Sequence, residues 1–267
     1  MNDFFFMMWK PLLACLVLVG IHAYFGFHVI KREVIFVDLS LAQIAALGAV
    51  VALLFGFEPQ SWTAYWMSLT ATLFGALFLS LTRIKDQSIP QEAMIGIIYV
   101  VSSALAILLL QHSPEGDEHI RQMLVGNVLL VEGHEILRMA LIYFAVGVFH
   151  FIFQKKFLRV SNPKCEKVSW KWDLFFYLTF GIVVTSSVKI AGVLLVFSFL
   201  IMPASMSILL VKKVKQRLLL GWALGAVLSF IGIAFSYKFD LPTGATIVCT
   251  HGFAMLVIYL MIRSKKI

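Results

Sequence analysis

The side chains of this sequence that can ligate a metal ion or carry a proton fall into a few groups. One stretch holds His112, Glu115, Asp117, Glu118, His119, Glu132, His134 and Glu135. Imidazole and carboxylate together suit divalent cations, so one reading is a mouth that attracts them. No two histidines there have tight helical ligand spacing. The other reading is a solvated polar loop in which Glu135 favours a helix N-terminus. His22, His28, His150 and His251 sit inside apolar runs. An ionisable residue in such a place is a functional hypothesis by default, and a neutral imidazole bonded to a neighbouring helix is the alternative. Glu92, after Ser88-Ile89-Pro90-Gln91, reads either as helix-start chemistry or as a gating group. Cys15, Cys165 and Cys249 are scattered, and their odd number argues against a disulfide framework. No His-Glu-x-x-His, Gly-x-Ser-x-Gly or phosphate-binding Gly-rich loop ending in Lys-Ser/Thr occurs. The chain reads as a non-enzyme that binds no cofactor of its own.

The elements that must position these groups follow from composition. Hydrophobic residues make up 61% of the 267, charged residues 13%, and this balance holds along the whole chain. A soluble domain carries about 25% charged residues, so the expectation is one polytopic membrane domain, residues 1–267. A helix needs about 20 apolar residues to cross a bilayer. Nine such segments appear, at about 8–30, 37–57, 62–82, 92–111, 136–154, 173–188, 190–211, 217–237 and 243–262. The fold class is therefore an all-α bundle of about nine spans. The sixth segment runs almost directly into the seventh, which leaves eight spans with one broken helix as the alternative. Within the seventh, Pro203 is flanked by Ser198, Ala204, Ser205 and Ser207. Proline in a helix interior costs about 3 kcal/mol in water, but neighbouring helices can satisfy the freed carbonyl in a membrane. A kinked, small-residue helix fits a place where backbones approach closely or a pathway opens.

Charge sets orientation. The net charge is +8, which in this context reads as topology rather than nucleic-acid binding. Lys31 and Arg32 follow the first segment, and Arg83 and Lys85 the third. Lys155, Lys156, Arg159, Lys164, Lys167 and Lys171 follow the fifth. Lys212, Lys213, Lys215 and Arg217 follow the seventh, and Arg263, Lys265 and Lys266 close the chain. With nine spans every basic loop falls on one side, which puts the C-terminus in the cytoplasm and the N-terminus outside. Lys189 is the misfit, at an expected outer turn between segments six and seven.

The string GVLLVFSFLIMPAS, Gly192 to Ser205, resembles the signature helix of ABC-3 family permeases, the membrane subunits of importers for zinc, manganese or iron. Phe36 to Gly48, FVDLSLAQIAALG, is similar to the family's second-helix segment. Glu92 to Tyr99, EAMIGIIY, with Gly126-Asn127-Val128-Leu129, resembles its middle region, and Leu241 to Val248, LPTGATIV, its final-helix start. The resemblance covers about residues 10–262. It implies a helical subunit that pairs with a second copy of itself. Its other partners would be a cytoplasmic ATPase dimer and an extracytoplasmic substrate-binding protein. ATP hydrolysis would sit on the partner chain and a divalent metal would be the substrate, moved by alternating access across the inner membrane. A stand-alone secondary transporter or channel, and a permease-like interaction protein that does not transport, are the competing readings.

Two departures bear on the sites. Permeases of this family commonly carry Asp-x-x-x-His on the second helix; Leu39 and Gln43 stand at those positions here, with Asp38 one residue from the first. Asp38 and Gln43 either line the translocation path with Ser198 and Pro203, or serve as a helix cap and an interhelical bond. Asp38 is the one weak metal candidate. The loop VSNPKCEKVSWK occupies the place of the family's ATPase-docking helix, and Asn162-Pro163 could start such a helix. Asn162, Pro163, Lys164 and Lys167 are then the coupling residues; the alternative is a plain juxtamembrane basic loop.

Overall fold

The computed structural model describes residues 2–59, 61–82, 89–111, 116–162 and 169–264. Every regular element among them is helical: α1 (Asn2–Arg32), α2 (Val37–Leu54), α3 (Trp62–Leu81), α4 (Gln91–Leu110), α5 (Gly116–Val125), a 3-10 turn (Val128–Leu130), α6 (Gly133–Ile152), α7 (Gln154–Val160), α8 (Trp170–Leu210), α9 (Val214–Phe239) and α10 (Thr243–Ser264). Helices dominate because lipid offers no partner to an open backbone group. Eight of these helices are long and apolar enough to cross a membrane. The nine apolar segments map onto the eight because α8 is two helical stretches, 170–191 and 193–210, that meet at a kink at Gly192 (φ 73°, ψ 165°), and these correspond to segments six and seven. The first stretch continues past Lys189, so the break falls three residues beyond the turn that the sequence suggested. Pro203 lies inside the second stretch, as the sequence suggested. The polar stretch before α6 is not plain loop either, since it contains α5 and the 3-10 turn.

The described residues form two compact units. The first comprises 1–30, 124–145 and 190–267, and the second 31–123 and 146–189. In the first unit the break in α8 has a backbone cause. Gly126 (φ 66°) and Gly192 lie backbone against backbone, and a Cβ on either would collide with the other strand of chain. The Asn127 N–H donates to the Ile190 carbonyl at 3.1 Å. Gly192 occupies a region essentially reserved for glycine, and Gly126 has a positive φ that glycine adopts most readily. Pro203 is buried against α9, where Gly221 and Gly225 leave room for its carbonyl and ring. Gly26 of α1 meets the Leu200 carbonyl so closely that a Cβ would fall on it. This is the small-residue packing that lets membrane helices approach. Asp240, in the left-handed region, ends α9, and the Ser236 hydroxyl donates to the Leu241 carbonyl at 2.7 Å, closing the turn into α10.

In the second unit α2 packs on α3 through Gly48, whose missing side chain accommodates the Ser68 backbone and the Ala71 methyl. Val50, Ala106 and Leu110 form an apolar cluster between α2 and α4. One end of this unit is polar and dense. The ends of α1 and α3, the starts of α2, α4 and α8, and α7 meet there through Arg32, Ser161, Asp173, Gln91, Tyr177 and Glu92. α7 is held by Phe157, which stacks on His150 at 3.8 Å between ring centroids and meets Trp172 edge-on.

Candidate functional site

Asp38 lies in the first turn of α2 and is 1% exposed. The N-cap residue of that helix is Phe36, and no side chain caps it from within. The group that does so comes from another helix: Glu92, at the start of α4, accepts the Phe36 N–H on Oε1 at 3.1 Å. Glu92 therefore spends its carboxylate on the start of α2 rather than of its own helix. Two carboxylates are brought within electrostatic reach of each other at the beginning of one span. Asp38 Oδ1 and Glu92 Oε2 are both buried without a hydrogen-bond partner, as is the Ser40 hydroxyl in the same turn of α2. A buried polar atom left unpaired costs about 1–3 kcal/mol. That cost, at neighbouring acidic groups, marks a place where a proton or cation would be favourable. Gln43 is also buried, further along α2. The polar atoms at this turn are carboxylate and hydroxyl oxygens, a set that suits hard cations such as manganese(II) better than zinc.

Ser198 and Pro203 belong to the first unit, on the second half of α8, whereas Asp38, Gln43 and Glu92 belong to the second. Ser198 is fully buried, and its hydroxyl points at the Met202 sulfur, 3.6 Å away. Asn162 is exposed at the foot of the loop after α7. Pro163, Lys164 and Lys167 lie outside the described residues, as do His112 and Glu115.

The histidines are packed groups. His22 Nδ1 donates to the Leu18 carbonyl at 2.8 Å, and His251 Nδ1 to that of Ile247 at 3.0 Å, each one turn back on its own helix. His150 shares a 2.8 Å hydrogen bond with the Thr179 hydroxyl. His28 meets the Tyr24 ring edge-on, 4.7 Å away. Among the described residues no three His, Cys, Asp or Glu side chains gather into a metal-holding group. His134 Nδ1 lies 3.0 Å from Glu132 Oε2, both side chains exposed. Glu135 accepts the Glu132 N–H, which is half of a capping box at the start of α6.

Two residues were invisible as site residues in the sequence. Arg32 reads as one more loop cation and Asp173 as a helix-start acid. They form a buried ion pair at 3.0 Å. No local signal joins them, because their contact is made only by the fold.

The chain was compared with known proteins. A probable iron transport system membrane protein of Haemophilus influenzae is 23% identical over 97% of this chain and 94% of its own. The manganese import system permease protein ScaB of Streptococcus gordonii is 24% identical over 100% of this chain and 95% of its own. Among solved structures, PsaBC from Streptococcus pneumoniae in complex with Fab superposes with a TM-score of 0.78. It shares 19% identity and covers 97% of this chain and 95% of that one, a likeness of fold. The model of the ABC 3 transport family matches residues 4–262, and on that near-complete match this multi-pass membrane protein belongs to the ABC 3 transport family.

Proposed function

We propose that this chain is the membrane-spanning permease subunit of an ATP-binding-cassette importer for a divalent metal ion. The observation that carries the reading is the family match over residues 4–262, which spans all eight long apolar helices. Relatives named for iron and manganese transport support the substrate class. The oxygen donors around Asp38 favour manganese or iron(II) within it. A separate cytoplasmic ATPase dimer hydrolyses the ATP, an extracytoplasmic binding protein delivers the ion, and two copies of this chain form the path. Asp38, Gln43, Ser198 and Pro203 line that path, and Glu92 holds the start of α2 as a gating contact. Asn162, Pro163, Lys164 and Lys167 form the surface that meets the ATPase. The protein resides in the inner membrane with its C-terminus in the cytoplasm and its N-terminus outside, an odd number of crossings in which the two stretches of α8 on either side of Gly192 each count as one. The exposed Lys155, Lys156 and Arg159 of α7 support that orientation, since basic residues concentrate on the cytoplasmic side.

The test is gentle purification from native membranes with mass spectrometry of what accompanies the chain. An ATP-binding-cassette ATPase in stoichiometric amount is the expected result. A reproducible homo-oligomer without one would overturn the importer reading and leave a stand-alone transporter or a non-transporting interaction protein.

A further inference from the structure

Arg32 is the last residue of α1, and its side chain is 1% exposed. Its guanidinium reaches two positions that bracket a single connection. Nε donates to the Ser161 hydroxyl at 3.1 Å, and Nη1 lies 3.0 Å from Asp173 Oδ1. Ser161 is the C-cap of α7, and Asp173 is in the first turn of α8. The guanidinium carbon also sits 3.7 Å above the centre of the Phe176 ring. One planar cation thus touches both feet of the 162–172 connection and the helix that follows it.

We propose that Arg32 is a positioning residue that fixes the end of α7 and the start of α8 relative to each other, so that the exposed basic face of α7 meets its partner preorganised. The role rests on the importer reading for what that face docks against, and on the geometry alone for the clamp.

Stability does not explain the arrangement well. A buried ion pair is often no better than apolar residues of the same volume, and this end of the unit is already rich in aromatic contacts. An arginine fork provides something apolar packing does not, a fixed geometry among several partners through directed donors. Fixing two elements relative to each other before binding lowers the ordering cost of the complex, which is how preorganisation raises affinity. The surface displayed from this anchor is polar. Asn162 and Lys171 are exposed at the two feet, and Lys155, Lys156 and Arg159 are exposed on α7, while Phe157 and Val160 are buried beneath.

The clamp also continues inward. Arg32 lies 5.5 Å from the centre of the Tyr177 ring, whose hydroxyl receives a 3.0 Å hydrogen bond from Gln91. Gln91 precedes Glu92, the residue that holds the start of α2. These contacts form a continuous series from Ser161 and Asp173 to the turn that carries Asp38.

The test uses the full chain in nanodiscs, with Cys165→Ser and Cys249→Ser, and spin labels on Asn162→Cys and Lys171→Cys. Electron–electron distance measurement on this background is compared with the same background carrying Arg32→Lys or Ser161→Ala. In parallel, unlabelled chain co-purified with its ATPase is assayed for ATP hydrolysed per manganese(II) delivered. The clamp predicts a narrow distance distribution that broadens in Arg32→Lys and, to a lesser degree, in Ser161→Ala. The ATP consumed per ion should rise about tenfold in Arg32→Lys, the ratio produced by about 1.4 kcal/mol of lost coupling, with the ATPase still bound. An unchanged distance distribution overturns the proposal. So does a broadened distribution with an unchanged ATP-to-ion ratio. If Arg32→Lys fails to insert, Ser161→Ala carries both readouts. If no ATPase accompanies the wild-type chain, the importer reading fails, and the distance distribution alone decides the clamp.

Discussion

Asp38 is a carboxylate at a helix start with a second carboxylate nearby and one oxygen left without a partner. Folding tolerates such a group when it serves a passing ion or proton. Asp38→Asn keeps the shape and removes the charge. If Asp38 lines the path, manganese(II) uptake into proteoliposomes falls about tenfold or more, as the loss of about 1.4 kcal/mol at the rate-limiting step produces. Membrane insertion stays normal. Unchanged uptake would return Asp38 to a purely structural role. At this scale the sequence was partly legible. It singled out Asp38 and Glu92 separately, because acidic residues at the edges of apolar runs stand out. It did not pair them, because Glu92 bonds to Phe36 across two intervening helices. Arg32 was hidden for the same reason: its partners, Ser161 and Asp173, lie on remote elements.

α8 shows what a hydrophobicity pattern does and does not specify. Its apolar length was plain, but the position of its break was not. Lys189 looked like the place for a turn, but the first stretch continues past it, and Pro203 lies inside the second stretch against the glycines of α9. The non-helical torsion falls at Gly192, where Gly126 presses its backbone into the chain. A local pattern cannot report that contact, although Gly126-Asn127 was legible as a tight backbone position. Gly192→Ala should cost about 1–3 kcal/mol, the usual cost of holding a non-glycine residue in a strained region. The direct contact with Gly126 adds to this. Thermal unfolding in detergent should show a marked loss, and an unchanged transition would refute the backbone-contact account. Pro203→Ala restores a helix hydrogen bond that proline lacks. With normal expression, slower turnover is expected if Pro203 shapes the moving part of α8. Normal turnover would reduce it to a filler opposite Gly221 and Gly225.

Over the whole molecule, burial separates the helices by role. In the most apolar windows 67% of α1 and 61% of α2 are buried, against 11% of α10. Of the eight long helices, α1 and α2 are the most covered by the rest of the chain and α10 the least. Fold class was the most legible property, because a 61% hydrophobic chain with evenly spaced basic loops has few other solutions. The proposed orientation makes a direct prediction. A reporter active only outside the cytoplasm should work when fused to the N-terminus and fail at the C-terminus, and the reverse pattern would invert the topology. The buried ion pair has a consequence in time as well as in space. Arg32 and Ser161 are separated by 129 residues. At about 5–20 residues per second a ribosome needs roughly 6–26 s to supply that partner, with Asp173 later still. During that interval the newly inserted α1 carries a cation whose final partners have not been made, and its stem can only reach toward the interface, where lipid phosphate is the available counter-ion. The first helix of this protein is thus inserted in a provisional state, and it is the arrival of α7 and α8 at the translocon that completes it.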